Sequence, residues 1–346
     1  MKRAVLVGCG VMGARWVTAL CASPLQERVQ LVGLVDVDPQ LAASVRDANG
    51  LSEAVIGTDL AKVLAEAKPQ IVFDVAVPAV RKRIVATALE YGCDVLTEKP
   101  MAASLEDARA ILSSARKAGR MLAVTQNRRF KQSIRRIGKF VASGALGDIS
   151  AMHCDFFIGA HFGGFRDEME HVLLLDMAIH TFDAARFICG KDALAVYCQE
   201  TNPKGSWYAH GAAANAIFEL SDNVTFTYRG SWAAEGANTS WEAAWRIVGT
   251  KGTLLWDGET AITANVVDGD DGFFRPLRAV AVPEWTDVRV TNEHVSVIED
   301  FLDALEHGGT PESVGTDNIK SLAMVFGAIE SARTRQLVLI EAGNQQ

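Results

Sequence analysis

Hydrophobic and polar positions change their period once along the chain. Over the first 125 residues, short apolar runs alternate with segments whose apolar residues recur every three or four positions. The runs at 3–7, 29–35, 70–77, 94–97 and 121–125, with a shorter one at 54–56, predict strands buried on both faces, as in a parallel sheet. Between them the pattern predicts helices over 12–22, 39–48, 60–66, 79–91 and 105–118. Local chemistry supports these bounds: Asp59 and Ser104 can cap the N-termini that follow them, Pro78 ends the 70–77 run, and Gly92 and Gly119 stop helices. Strand–helix alternation at this spacing requires a doubly wound sheet with right-handed crossovers.

After residue 126 the pattern becomes strand-rich. One helix is predicted over 131–143, then strands at 149–157, 193–200, 213–219, 223–231, 244–248 and 252–256, punctuated by Gly, Asn and Asp. A helix over 172–189 interrupts them, and helices at 293–306 and 316–334 follow. The reading is an α/β chain of two domains: an N-terminal doubly wound Rossmann domain over 1–125, and over 126–346 an α+β domain with a large, mainly antiparallel, open-faced sheet. There is no internal repeat and no low-complexity linker. An uncovered apolar sheet face of that size predicts a homodimer or homotetramer formed through it.

Composition narrows the partners. With 49% hydrophobic and 22% charged residues the chain is an ordinary globular protein, and its net charge of −8 argues against nucleic acid or an anionic membrane. Cys9, Cys21, Cys93, Cys154, Cys189 and Cys198 form no CxxC pair and sit mostly in apolar runs, so they read as buried free thiols in a reducing cytoplasm rather than a zinc site. The first 24 residues imitate a secretory signal, but Arg15 interrupts the apolar stretch and cleavage would remove the glycine-rich turn at 8–13. No run reaches the roughly 18 apolar residues of a membrane span. The expected location is the cytoplasm.

The glycine-rich turn carries the first chemistry. Gly8-Cys9-Gly10-Val11-Met12-Gly13 follows a predicted strand and opens a predicted helix. In that context Gly8 permits the tight turn, Gly10 lets the backbone approach a pyrophosphate, and Gly13 lets helix and sheet pack closely. Val11 and Met12 lie at the helix N-terminus, whose free N–H groups attract phosphate. Asp36 ends the second strand roughly 20 residues further on, where an acid binds ribose hydroxyls and repels a 2′-phosphate. Val37 follows it, with no arginine beside it, so NAD is the expected cofactor rather than NADP.

Two further segments suggest catalysis. Glu98-Lys99-Pro100 closes the fifth run, at the carboxyl edge where doubly wound sheets bind ligands, and a lysine there can polarise an alkoxide or carbonyl oxygen. Asp176 and His180 stand four residues apart on a predicted helix, which puts carboxylate and imidazole on one face.

Together the glycine turn, Glu98-Lys99-Pro100, Asn127-Arg128-Arg129-Phe130 and Asp176-x-x-x-His180-x-x-Asp183 resemble the motifs of the glucose–fructose oxidoreductase, inositol dehydrogenase and rhizopine-catabolism family, Gfo/Idh/MocA. The stretch 246–254, and Gly315-x-Asp317 with Ser331-Ala332, also look similar to that family, so the resemblance spans nearly the whole chain. It implies hydride transfer between a nicotinamide and an alcohol of a sugar or polyol, of aldose or cyclitol type. Lys99, Asp176 and His180 would be the catalytic trio, Val77 and Pro78 would line the cofactor cleft, and Asn127 and Arg128 would lie near nicotinamide and substrate.

On that reading His180 takes the hydroxyl proton, Lys99 stabilises the alkoxide, and Asp176 supports the imidazole. The ammonium and the imidazole would converge on one oxygen. No metal is expected at that oxygen, because Lys99 supplies the positive charge. Asp155, Phe157, His161 and Arg166 are further substrate candidates, and Trp232 and Trp245 either stack on sugar faces or pack in the core. The glycine-rich loop 159–167 could fold over the substrate. Two departures stand out: Arg81 replaces a frequent histidine, and Glu170-His171 replaces a glycine run, with His171 read as structural ahead of substrate-binding. Three alternatives stay open: an NAD-using glycoside hydrolase of the same fold, an NADPH-dependent sugar reductase, and a non-enzymatic sensor, which loss of the lysine and histidine would have favoured.

Overall fold

The computed structural model describes residues 1–287 and 293–341, and the chain divides into two compact units. The first comprises residues 1–127 with the described part of 292–319. Its sheet is built from β1 (Lys2–Val7), β2 (Val29–Val35), β3 (Val55–Gly57), β4 (Ile71–Asp74), β5 (Asp94–Glu98) and β6 (Leu122–Thr125), all parallel, in the order β3-β2-β1-β4-β5-β6. The order reverses between β1 and β4, and ligands of doubly wound sheets bind at that point beyond the carboxyl ends of the strands.

Five helices link these strands: α1 (Val11–Leu20), α2 (Pro39–Ala48), α3 (Leu60–Ala67), α4 (Pro78–Glu90) and α5 (Leu105–Ala118). Their starts follow side-chain chemistry. Asp38 accepts from the Gln40 amide with Pro39 behind it, Asp59 from Lys62, and Ser104 from Asp107. Gly119, in the left-handed region, ends α5. β4 is buried throughout, as its unbroken apolar run requires.

The second unit holds residues 128–287 and 320–341 of those described. Its strands are β7 (Ile149–Phe157), β8 (Ala193–Thr201), β9 (Ala213–Leu220), β10 (Val224–Ser231), β11 (Ala244–Gly249), β12 (Gly252–Trp256), β13 (Ile262–Val267), β14 (Leu277–Val280) and β15 (Val338–Leu339). They form one sheet in the order β14-β13-β12-β11-β7-β10-β9-β8-β15, antiparallel except for the β10–β7 pair. Burial alternates along β9, so Ala214, Ala216, Phe218 and Leu220 face inward. The helices α6 (Gln132–Ala142) and α7 (Ile179–Cys189) belong here, and Phe182 of α7 meets Phe218, Tyr228 and Phe226 at centroid distances of 4.8, 5.2 and 6.2 Å. Among the described residues the opposite face of the sheet is open, with Tyr197, Ile217 and Leu255 exposed on it.

A single cut near residue 126 does not describe these units. Helix α8 (Glu293–His307) packs with the first unit, and α9 (Gly315–Thr334) begins there. The physical reason is a return crossing. The Val124 amide donates to the Ser313 carbonyl (2.9 Å), Ala123 bridges to Val314, and a Cβ on Gly315 would stand 2.7 Å from Leu112. Among the described residues no helix is long and apolar enough to cross a membrane.

Candidate active site

In the first unit a cavity of about 670 Å³ opens beyond the carboxyl ends of β1, β2 and β4. Gly8, Gly10, Asp36 and Val77 line it, with Thr58, Leu60, Ala76 and Arg83. Gly8 has φ +95°, and a Cβ there would lie 2.8 Å from the Ala76 backbone. A Cβ on Gly13 would come within 1.8 Å of the Gly8 carbonyl, so helix and turn touch through that glycine. Around Gly10 the same construction meets nothing within 4 Å. No side chain among the described residues caps the start of α1, so its N–H groups are left to bind an anion. Val11 and Met12 are exposed beside them, and Pro78 is the first residue of α4.

The Asp36 carboxylate is fixed by two amides, Cys9 N to Oδ2 (2.6 Å) and Asp38 N to Oδ1 (2.9 Å). Burial, with the neighbouring Asp36 charge, pushes the Cys9 thiol up to about 12, so it stays protonated in the turn. The tight turn, the room at Gly10, the bare helix start and the fixed carboxylate fit a dinucleotide. Arg83 was missed in the sequence because it reaches the cavity from the second turn of α4, far from Asp36 along the chain.

Lys99 is half-buried just past β5, the strand paired with β4. Its amide donates to Glu98 Oε2 (3.1 Å), while Glu98 Oε1 receives Trp16 Nε1 (3.0 Å) and lies 3.3 Å from His294 Nε2. Burial alone would raise the Glu98 carboxyl. The His294 ring, Lys99 and Arg81 outweigh it and hold the group below the usual carboxylate range. Glu98, a cofactor-binding candidate from its place in the Glu98-Lys99-Pro100 motif, braces the lysine turn with its carboxylate. Asn127, also expected there, is buried and donates to Glu293 Oε2 (2.9 Å).

In the second unit Asp176 and His180 follow each other on one helical run, but residues Leu173–Ala178 are π-helical. The wider turn replaces the regular four-residue stacking expected for the pair; π-turns recur at functional sites. Asp176 Oδ2 accepts from Arg166 Nε (2.6 Å), and the Arg166 guanidinium lies over Phe162 and Phe165 (5.0 and 4.8 Å). Arg128 reaches the same run through Met177 Sδ (3.7 Å) and pairs with Glu242 (2.8 Å). Asp183, the last residue of that motif, takes a two-pronged bond from Arg129 (2.6 and 2.7 Å) and one from Ser321, and so anchors the helix.

One expectation, that Asp155 and Phe157 face the substrate, is corrected. Asp155 and Phe157 sit on the open face of the sheet, because Cys154 and Phe156 between and beside them take the buried face against which α7 packs. Asp155 pairs there with Arg229 (2.7 and 2.5 Å), on the far side of the sheet from His180. Trp232 and Trp245 are buried at 2% and 4% exposure and offer no open ring face. His161 stacks on Trp207 (3.6 Å) and pairs with Glu235 (2.8 Å). Trp241, which sequence reasoning passed over, is the exposed tryptophan close to Phe162. His171 has φ 53° and lies 2.5 Å from Glu200 Oε2.

A parallel sheet ending in a dinucleotide cavity, with a lysine at the next strand end, defines a nicotinamide-dependent oxidoreductase of Rossmann type. Residues 2–126 match the model of the Gfo/Idh/MocA oxidoreductase family, NAD-binding Rossmann fold, and residues 134–255 match the GFO/IDH/MocA C-terminal domain. The chain belongs to this NAD-binding family. It is 26% identical to a D-apiose dehydrogenase of Paraburkholderia graminis (98% of this chain, 90% of the relative). It is 24% identical to a 1,5-anhydro-D-fructose reductase of Ensifer adhaerens (99% and 100%). The crystal structure of an Agrobacterium radiobacter oxidoreductase in complex with NAD+, L-tartaric acid and magnesium shares the fold, with TM-score 0.84, 23% identity and 98% of each chain covered.

Proposed function

We propose that the protein moves a hydride between NAD(H) and a hydroxyl-bearing carbon of a sugar or polyol of aldose or cyclitol type. The observation that carries this reading is the place of Lys99: half-buried past β5, next to the β4 turn that lines the dinucleotide cavity. Relatives named for D-apiose and 1,5-anhydro-D-fructose support a polyhydroxylated substrate. The bound nicotinamide supplies the hydride acceptor or donor. Lys99 stabilises the oxygen as its proton leaves, His180 takes that proton, and Asp176 balances the imidazolium. The Arg166–Asp176 pair offers donors and acceptors to neighbouring hydroxyls, with Arg128 beside it. Asp36 favours NAD over NADP. The mostly buried thiols support a cytoplasmic location, and the open face of the large sheet is the proposed homo-oligomer interface.

A screen of aldoses, inositols and alditols with NAD, followed by NADH absorbance, tests the reaction. With the best substrate, Lys99→Ala lowers kcat by roughly 10²–10⁴ while NAD still binds. Wild-type turnover in that variant would remove Lys99 from the mechanism. NADH that never accumulates while a glycoside is cleaved would favour the hydrolase.

A further inference from the structure

Arg81 is a buried cation to which the reaction just proposed gives no task. Its side chain is 1% exposed, and its guanidinium donates in three directions within one unit. Nε binds Asp74 Oδ2 (3.0 Å), Nη2 binds the Ala76 carbonyl (2.5 Å), and Nη1 binds the Pro100 carbonyl. Asp74, fully buried at the end of β4, also accepts from the Thr97 hydroxyl (2.7 Å) and the Ala76 amide (3.1 Å). One planar fork thus ties the end of β4 and the turn after β5 to the first turn of α4.

The two carbonyls belong to turns with different work. Ala76 lies in the turn that lines the dinucleotide cavity, and Pro100 follows Lys99. The Lys99 amide is itself held by Glu98, so the lysine backbone is fastened on both sides. Filling space does not need a buried ion pair, since apolar residues of similar volume often serve as well or better. A guanidinium, unlike an ammonium, holds several acceptors at fixed mutual angles.

We propose that Arg81 is a positioning residue that locks the Lys99 turn to the cofactor turn, so that the ammonium is aimed from a backbone registered on the dinucleotide. The effect on turnover rests on the role proposed above for Lys99; the locking itself does not. Displacements near 1 Å cost on the order of 10²-fold in rate, so loosening this clasp slows the reaction without emptying the cofactor site.

The test uses Arg81→Lys, which keeps the charge opposite Asp74 but cannot hold all three acceptors, and Arg81→Met if it folds. Ligand-free amide exchange of the segment 97–102 is expected to quicken, with the segment 8–13 unchanged. NAD is expected to bind within about threefold of wild type, and kcat to fall at least about tenfold with little change in KM. In Lys99→Met the same substitution should cost less than about twofold more, because both changes act on one group. Unchanged exchange at 97–102, losses that multiply with Lys99→Met, or NAD binding that weakens as much as kcat would each overturn the proposal. A wild-type protein that oxidises no polyol would sink the oxidoreductase reading, and exchange would still decide on Arg81.

Discussion

At the scale of single residues, the proposed choice of cofactor depends on a charge placed by backbone amides. Two N–H groups hold the Asp36 carboxylate at the cavity edge, and Arg83 lines the same cavity. Asp36→Ser removes the repulsion of a 2′-phosphate and leaves a guanidinium to receive one. The expected outcome is weaker NAD binding, stronger NADP binding, and a preference shifted by at least about tenfold, or ~1.4 kcal/mol. Titration of both dinucleotides against intrinsic fluorescence measures it; an unmoved NADP affinity would show that Asp36 does not govern the choice. Asp36 was legible in the sequence because the strand–turn–helix unit fixes its spacing from the glycines. Arg83 and the partners of Arg81 were not. Arg83 depends on the rotation of α4, and two of the Arg81 partners are backbone carbonyls that no residue type announces.

At the scale of elements, periodicity located every strand of the first sheet; the inner strands are buried on both faces and leave apolar runs, while the half-buried edge strand β3 showed as a shorter one. It missed the edge strands β14 and β15 and the strand β13 beside the first of them; β14 is almost wholly exposed and has no apolar face to display. It also missed the π-turn at 173–178, since its apolar residues read equally well as α-helix. Just before that turn His171 docks on Glu200, and the hydrogen bond to Glu200 raises the imidazole above its usual range against the opposing effect of burial; the Glu200 and Glu170 charges act with the bond. A raised folded-state pKa gives stability that is complete below the unfolded value, about 6.5, and is lost as pH rises through the folded value. Glu200→Gln should therefore lower Tm most near pH 6 and progressively less as pH climbs past the raised His171 value. Thermal melts across that range provide the check, and a Tm difference that stays flat with pH would exclude the pair as its source.

At the scale of the whole molecule, the large sheet poses an unsolved burial problem. Helices cover one face; on the other, Tyr197, Ile217 and Leu255 stay 45%, 52% and 38% exposed around a cavity of about 760 Å³. Polar groups lie between them, among them the ion pair of Arg229 with Asp155. Apolar side chains interleaved with matched polar groups are the make-up of a protein interface, and sheets pack face to face about 10 Å apart. A second copy presents the same surface, and a two-fold axis would bring like strands together. Sedimentation at micromolar concentration should therefore show a dimer or tetramer. Ile217→Glu combined with Leu255→Lys, both exposed on the open face, should shift it to monomer with the circular dichroism of the wild type. A wild-type chain that sediments as a monomer would leave the apolar face without the partner argued for it here.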